Sequence, residues 1–101
     1  YMCERLRGSD GTACYNDQTA YGAIDLLTSR GVRVPEDVLV TGFDNSSVSE
    51  YSPVKITSFA HPKDEMGRIA ANKLIHMLRS GEQEHPLILD MPLFEKQSTA
   101  R

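Results

Sequence analysis

Val38-Leu39-Val40-Thr41-Gly42-Phe43-Asp44-Asn45 decides how this chain is read. Its opening, residues 38–41, is a continuous apolar and largely β-branched run of the kind buried on both faces of a parallel sheet. The stretch then ends in a carboxylate and an amide just where a helix should begin. Ala13-Cys14-Tyr15-Asn16-Asp17 repeats the arrangement, with an expected strand at 12–15 running into polar side chains. In open α/β sheets, ligands sit outside the carboxyl ends of the strands. Two such ends in one short chain suggest a site for a small polar ligand.

Working outward, Asp17 is placed as an N-cap, and from Gln18 to Ser29 the residues Ala20, Ala23, Ile24 and Leu27 fall on one helical face. Gly31 closes that helix, the crossover of a βαβ unit, and Pro35-Glu36-Asp37 turns the chain into the second strand. Past Asp44, a short helix is expected at 46–51, stopped by Pro53, and a strand at 55–59. Pro62 opens a long helix over 62–81, with Asp64 and Glu65 in its first turn and Arg79 and Gly81 at its end, as the dipole and capping rules favour. Met66, Ile69, Ala70, Leu74, Met77 and Leu78 form its apolar stripe. A strand at 87–91 between Pro86 and Pro92 and a polar tail follow. At the other end, residues 1–7 read as the tail of a helix, with Gly8 and Gly11 supplying a turn.

The chain has 101 residues, enough for one domain, and 40% hydrophobic with 25% charged residues is an ordinary globular composition. Its apolar runs are far shorter than the roughly 20 residues needed to span a bilayer, and no signal-peptide pattern opens it. Starting at Tyr1 without an initiator Met, it reads as an excised piece. The net charge is −3, and the Lys and Arg residues are scattered rather than striped, so the electrostatic footprint of a nucleic-acid binder is missing. Cys3 and Cys14 make no disulfide framework and suit a reducing compartment.

Asp44 is the leading candidate for ligand contact, because a carboxylate can accept hydrogen bonds from adjacent hydroxyls while its strand holds it rigidly. The competing reading is that Asp44 or Asn45 caps the short helix that follows. Spacing alone leaves both open. Asn16 carries donor and acceptor together, which suits a hydroxyl. Tyr15 adds an aromatic edge that could border the ligand, although a half-buried strand tyrosine is the plainer reading. His61, His76 and His85 lack the paired spacing of metal ligands, so neither a metal nor another cofactor is expected. Glu36-Asp37 lies in a turn and Asp64-Glu65 at a helix start, where negative charge is favoured for structural reasons. Neither a G-x-S-x-G elbow, a P-loop nor a G-x-G-x-x-G occurs, and no nucleophile is paired with a base, so an enzyme ranks last.

The succession Tyr15-Asn16-Asp17-Gln18-Thr19-Ala20, Gly31-Val32-Arg33-Val34-Pro35-Glu36-Asp37, Val40-Thr41-Gly42-Phe43-Asp44-Asn45, Ile56-Thr57-Ser58 and Glu65-Met66-Gly67 resembles the C-terminal part of the sensing domain in the LacI/GalR family of bacterial repressors. Five motifs in order cover nearly the whole chain. Cys14-Tyr15-Asn16-Asp17, Val54-Lys55-Ile56-Thr57-Ser58 and His61-Pro62-Lys63 look most like arabinose repressors, whose sensor is LacI-like and whose DNA-binding head is of the GntR type.

The resemblance implies an α/β fold, a fragment of a periplasmic-binding-protein-like two-lobe sensor with parallel sheets. It implies that residues 1–58 and 87–95 belong to the C-terminal lobe and that the helix at 62–81 packs in the N-terminal lobe. It adds effector contact by Asp44 and Asn16, and a homodimer interface carrying Tyr21, Ile24, Val48 and Tyr51, although Ile24 fits a core position equally well. The implied partner is a sugar effector, L-arabinose being the nearest candidate. DNA would be reached only through a head outside this chain, the setting cytoplasmic. A periplasmic-type sugar carrier is the alternative, since exported binding proteins share the two-lobe architecture.

Overall fold

The computed structural model describes residues 10–100. The helix expected at 1–7, Gly8 and Cys3 lie outside the described residues, while Gly11, expected in the turn, is instead the first residue of a strand. The described chain runs β1 (Gly11–Ala13), α1 (Asp17–Ser29), β2 (Leu39–Asp44), α2 (Val48–Tyr51), β3 (Thr57–Ala60), α3 (Lys63–Ser80), β4 (Leu93–Phe94) and a single 3-10 turn (Gln97–Thr99). It divides into two compact units, one holding residues up to Ala60 together with the segment from Pro92 onward, the other His61–Met91.

In the first unit the four strands lie in the order β1-β2-β3-β4. β1 pairs with β2 in parallel, Thr12 opposite Val40, and β2 pairs with β3 in parallel, Gly42 opposite Ser58 and Asp44 opposite Ala60. β4 is antiparallel to β3, so the sheet is parallel in its main part and mixed at one edge. The core forms where α1 covers the sheet. Ala20, Ile24 and Leu27, spaced for one helical face, pack with Val34, Val38, Val40 and Ile56. Cys14 is half-buried against this cluster and free, and burial pushes its thiol pKa up, a hydrogen bond with Thr12 pulling the other way.

Element boundaries moved where pairing across the sheet, rather than local pattern, set them. β1 ends at Ala13, not Tyr15. The ladder makes one more bond, Cys14 N–H to the Thr41 carbonyl at 2.8 Å, before the chain turns to cap α1. β2 continues through Gly42, which reads locally as a breaker, because Phe43 and Asp44 find partners in Phe59 and Ala60.

The strand expected at 87–91 is corrected: residues 82–92 follow an irregular path, and the strand is Leu93–Phe94. Pro92 has no N–H to give a ladder, but its carbonyl accepts from Ala60 N–H at 3.0 Å, so pairing starts there. The tail beyond β4 is not a loose polar end either. Ser98 is buried, its hydroxyl accepting from Thr57 N–H at 2.8 Å and donating to the Val40 carbonyl, so this segment ties β2 to β3.

The second unit is built on α3. Pro62 stands at its N-cap and Gly81 ends it in the left-handed region at φ 71°, with the Gly81 N–H bonded to the Met77 carbonyl. None of its residues is buried. Its apolar side chains Met66, Ile69 and Ala70, with Leu87, Leu89 and Met91 of the returning segment, line a hollow of about 430 Å³. No helix among the described residues is long and apolar enough to cross a membrane.

Candidate functional site

The C-terminal ends of β1 and β2 deliver Asn16 and Asp44 to the same end of the sheet, since the two strands are parallel neighbours. Asp44 closes β2 half-buried, with φ at 99°, and Asn45 follows at 48°. Positive φ outside glycine is uncommon, and Asp and Asn tolerate it best. Two consecutive residues in that region cost on the order of 1–3 kcal/mol each and persist only where the surroundings impose them.

The surroundings here are a buried carboxylate and a ring of hydroxyls. Asp17, 1% exposed in the first turn of α1, accepts from Ser46 N–H at 2.6 Å and Ser46 Oγ at 3.0 Å on one oxygen, and from Ser58 Oγ at 2.6 Å on the other. Ser58 Oγ in turn accepts the Asn45 N–H at 2.9 Å. Both peptide N–H groups after Asp44 are therefore fixed, one directly and one through a hydroxyl. The Asn45 side chain accepts from Lys96 Nζ at 2.8 Å.

The structure corrects several assignments. Asn16, not Asp17, caps α1: its Oδ1 accepts the Thr19 N–H at 2.8 Å while its backbone stays extended. That cap uses one lone pair of the carbonyl oxygen, and the amide N–H₂ is the part of Asn16 best suited to donate to a hydroxyl. Neither Asp44 nor Asn45 caps α2, whose N-cap is Ser47 with no side-chain cap bond. Tyr15 is 87% exposed beyond the end of β1, so it is not a half-buried strand residue. Ile24 is 3% exposed within the core, which removes it from any surface contact.

Tyr21 and Tyr51 do face outward, Tyr51 at 84% exposure. With Gln18, Val48 and Ser52 they line a hollow of about 210 Å³; the Ser52 hydroxyl itself is buried and has no hydrogen-bond partner among the described residues.

Sequence reasoning missed the second layer of the site: Asp17, Ser46 and Ser58 as anchors, and Lys96. A signal existed in Gly42. A glycine inside a buried strand marks close approach of something else, and a Cβ there would overlap the Asp17 carboxylate. The pair Phe43 and Phe59, ring centroids 6.1 Å apart and tilted by 46°, also lies beside the strand ends. Among the described residues, no group of three His, Cys, Asp or Glu side chains could hold a metal ion.

A family model described as the periplasmic binding protein-like domain matches residues 2–99. The arabinose metabolism transcriptional repressor of Halalkalibacterium halodurans is 37% identical over 96% of this chain and 28% of its own length. The HTH-type transcriptional regulator RegA of Clostridium saccharobutylicum is 40% identical over 88% of this chain and 27% of its own. Among solved structures, the transcriptional regulator CelR in complex with cellobiose superposes with a TM-score of 0.85 and 32% identity, covering 94% of this chain and 29% of that one. The chain thus spans less than a third of the length of these relatives.

Proposed function

Because this chain belongs to the periplasmic binding protein-like domain family, we propose that it is the effector-sensing part of a LacI/GalR-type transcriptional regulator, with a sugar held at the strand ends by Asp44 and Asn16 and edged by Tyr15. One observation carries the reading: Asp44 is presented at the end of β2 on a backbone with φ at 99°, a conformation that Asp17 and Ser58 hold in place from two other elements. That expenditure suits a carboxylate kept in position for recognition.

The chemistry is binding without catalysis. A carboxylate accepts from two neighbouring hydroxyls, and an amide N–H₂ donates to a third. Phe43 and Phe59 offer apolar ring faces near the same strand ends. The effector is a sugar, with a pentose such as L-arabinose favoured by the arabinose-repressor relative. Closure of two lobes around it would shift the equilibrium of a DNA-binding head that lies outside this chain. Such a regulator works in the cytoplasm as a homodimer, with Tyr21, Val48 and Tyr51 at the contact. A periplasmic sugar carrier would use the same strand-end geometry, but the relatives named above are transcriptional regulators, which favours the regulator.

The test is calorimetric titration of the full-length protein with a sugar panel including L-arabinose. Asp44→Ala should lose a charge-assisted hydrogen bond of about 1.5–3 kcal/mol, weakening binding roughly ten- to a hundredfold. Unchanged affinity in that variant would remove Asp44 from the site.

A further inference from the structure

Lys96 lies 51 residues along the chain from Asn45, past β4, in a segment where neither charge pattern nor periodicity marks it. Its backbone is bolted to the sheet: the Lys96 N–H donates to Thr57 Oγ1 at 2.8 Å, and two residues on, the Ser98 N–H bonds to the Lys55 carbonyl at 2.9 Å. From that fixed base the stem runs inward, leaving the side chain only 12% exposed. The ammonium meets three acceptors, Asn45 Oδ1 at 2.8 Å, Ser49 Oγ at 2.9 Å and Glu50 Oε1 at 2.6 Å. An ammonium has three protons to donate and no acceptor of its own. Its capacity is therefore used in full, on one loop residue and two residues of α2.

Asn45 is the second of the two positive-φ residues and the immediate neighbour of Asp44. Its peptide N–H is held from the β3 side by Ser58, and its side chain from the tail by Lys96. Lysine carries much rotamer entropy and a strongly hydrated charge, so confining both beside an asparagine is a costly way to fill space. We infer that Lys96 is a positioning residue for effector binding: its ammonium locks the Asn45 side chain to α2, and thereby fixes the direction in which the Asp44 carboxylate is presented. The inference rests on the reading of Asp44 as the effector-contacting carboxylate.

The experiment compares wild type, Asp44→Ala, Lys96→Met and Lys96→Arg in the full-length protein, by sugar titration and by hydrogen exchange of individual amides. Lys96→Met keeps the buried stem and removes the three donors. It should weaken sugar binding about tenfold and speed exchange at Asn45 and Ser49, while the β1–β2 ladder amides exchange as before, and Lys96→Arg should recover most of both. Ser98→Ala serves as control, because it loosens the same tail without touching Asn45: it should lower the melting temperature and leave affinity within about twofold. Should Lys96→Met fail to fold, Asn45→Gly removes the acceptor at no cost in positive φ and should show the same tenfold loss. Wild-type affinity in Lys96→Met or Asn45→Gly, with Asp44→Ala still defective, overturns the role of Lys96 alone. Unchanged affinity in Asp44→Ala overturns the reading of the site beneath it.

Discussion

The carboxylate of Asp17 fills the space that a side chain on Gly42 would need: a Cβ at Gly42 would overlap Asp17 Oδ1 and press on the Cγ2 of Ile56. A helix residue and a strand residue are thereby matched, and the match is what lets Asp17 reach Ser46 and Ser58 behind the site. Gly42→Ala should cost about 1–3 kcal/mol through overpacking. Asp17→Ala should cost about 3 kcal/mol by leaving three donors without their acceptor. Since removing the carboxylate makes room for the new methyl, the double variant should be less destabilised than the sum of the two. Urea denaturation of all four proteins measures this coupling, and strict additivity would contradict the contact.

Asn16 has two jobs that substitution can separate. Asn16→Ala should lower stability by about 1 kcal/mol through loss of the α1 cap, whereas Asn16→Asp and Asn16→Ser, both good caps, should keep stability close to wild type. All three lack the amide N–H₂, so all three should weaken sugar binding. A variant that caps well and binds as wild type would confine Asn16 to the helix end.

Glu50 gives the molecule a defined acid response. The hydrogen bond and charge of Lys96 hold its carboxyl below the ordinary 4.5, with a smaller pull from Lys55. A depressed folded-state pKa stabilises above the unfolded value, and the stabilisation is lost as pH falls through the folded one. The stability difference between wild type and Glu50→Gln should therefore hold steady from neutral pH down to about 4.5 and vanish below it. Chemical denaturation at stepped pH reads this directly. A difference that persists well into acid would mean that the Glu50 charge plays no part.

Tyr21 and Tyr51 line the hollow at α1 and α2 together with Gln18, Val48 and Ser52. Aromatic residues are enriched at protein contacts, and self-association of the full-length protein should use this face. Tyr51→Glu or Tyr21→Glu, which puts a charge there, should shift the protein toward monomer at micromolar concentration in light scattering. Glu36→Lys, a charge change elsewhere on the surface, should not.

The sequence by itself determined the βαβ order, the core face of α1, the limits of α3 and the placing of Asn16 and Asp44 at strand ends. Each of these is a local matter: apolar residues at period 3.6, a β-branched run, Gly81 at a helix end, and polar residues where strands give out. The motif order also pointed to the two-lobe binding-protein architecture, and the periplasmic binding protein-like domain is the family that matches residues 2–99. Tertiary structure alone decided which residues stand behind the site. Whether β2 stops at Thr41 or runs to Asp44 depends on Phe59 and Ala60 across the sheet. Whether a strand forms at 87–91 or at Leu93–Phe94 depends on where β3 offers pairing. Asp17 and Lys96 give no periodic signal, because a buried charge is tolerated only by the donors or acceptors that surround it, and those arrive from residues 29 to 51 positions away. Local propensity sees one neighbourhood of the chain at a time, and this site is made where four of them meet.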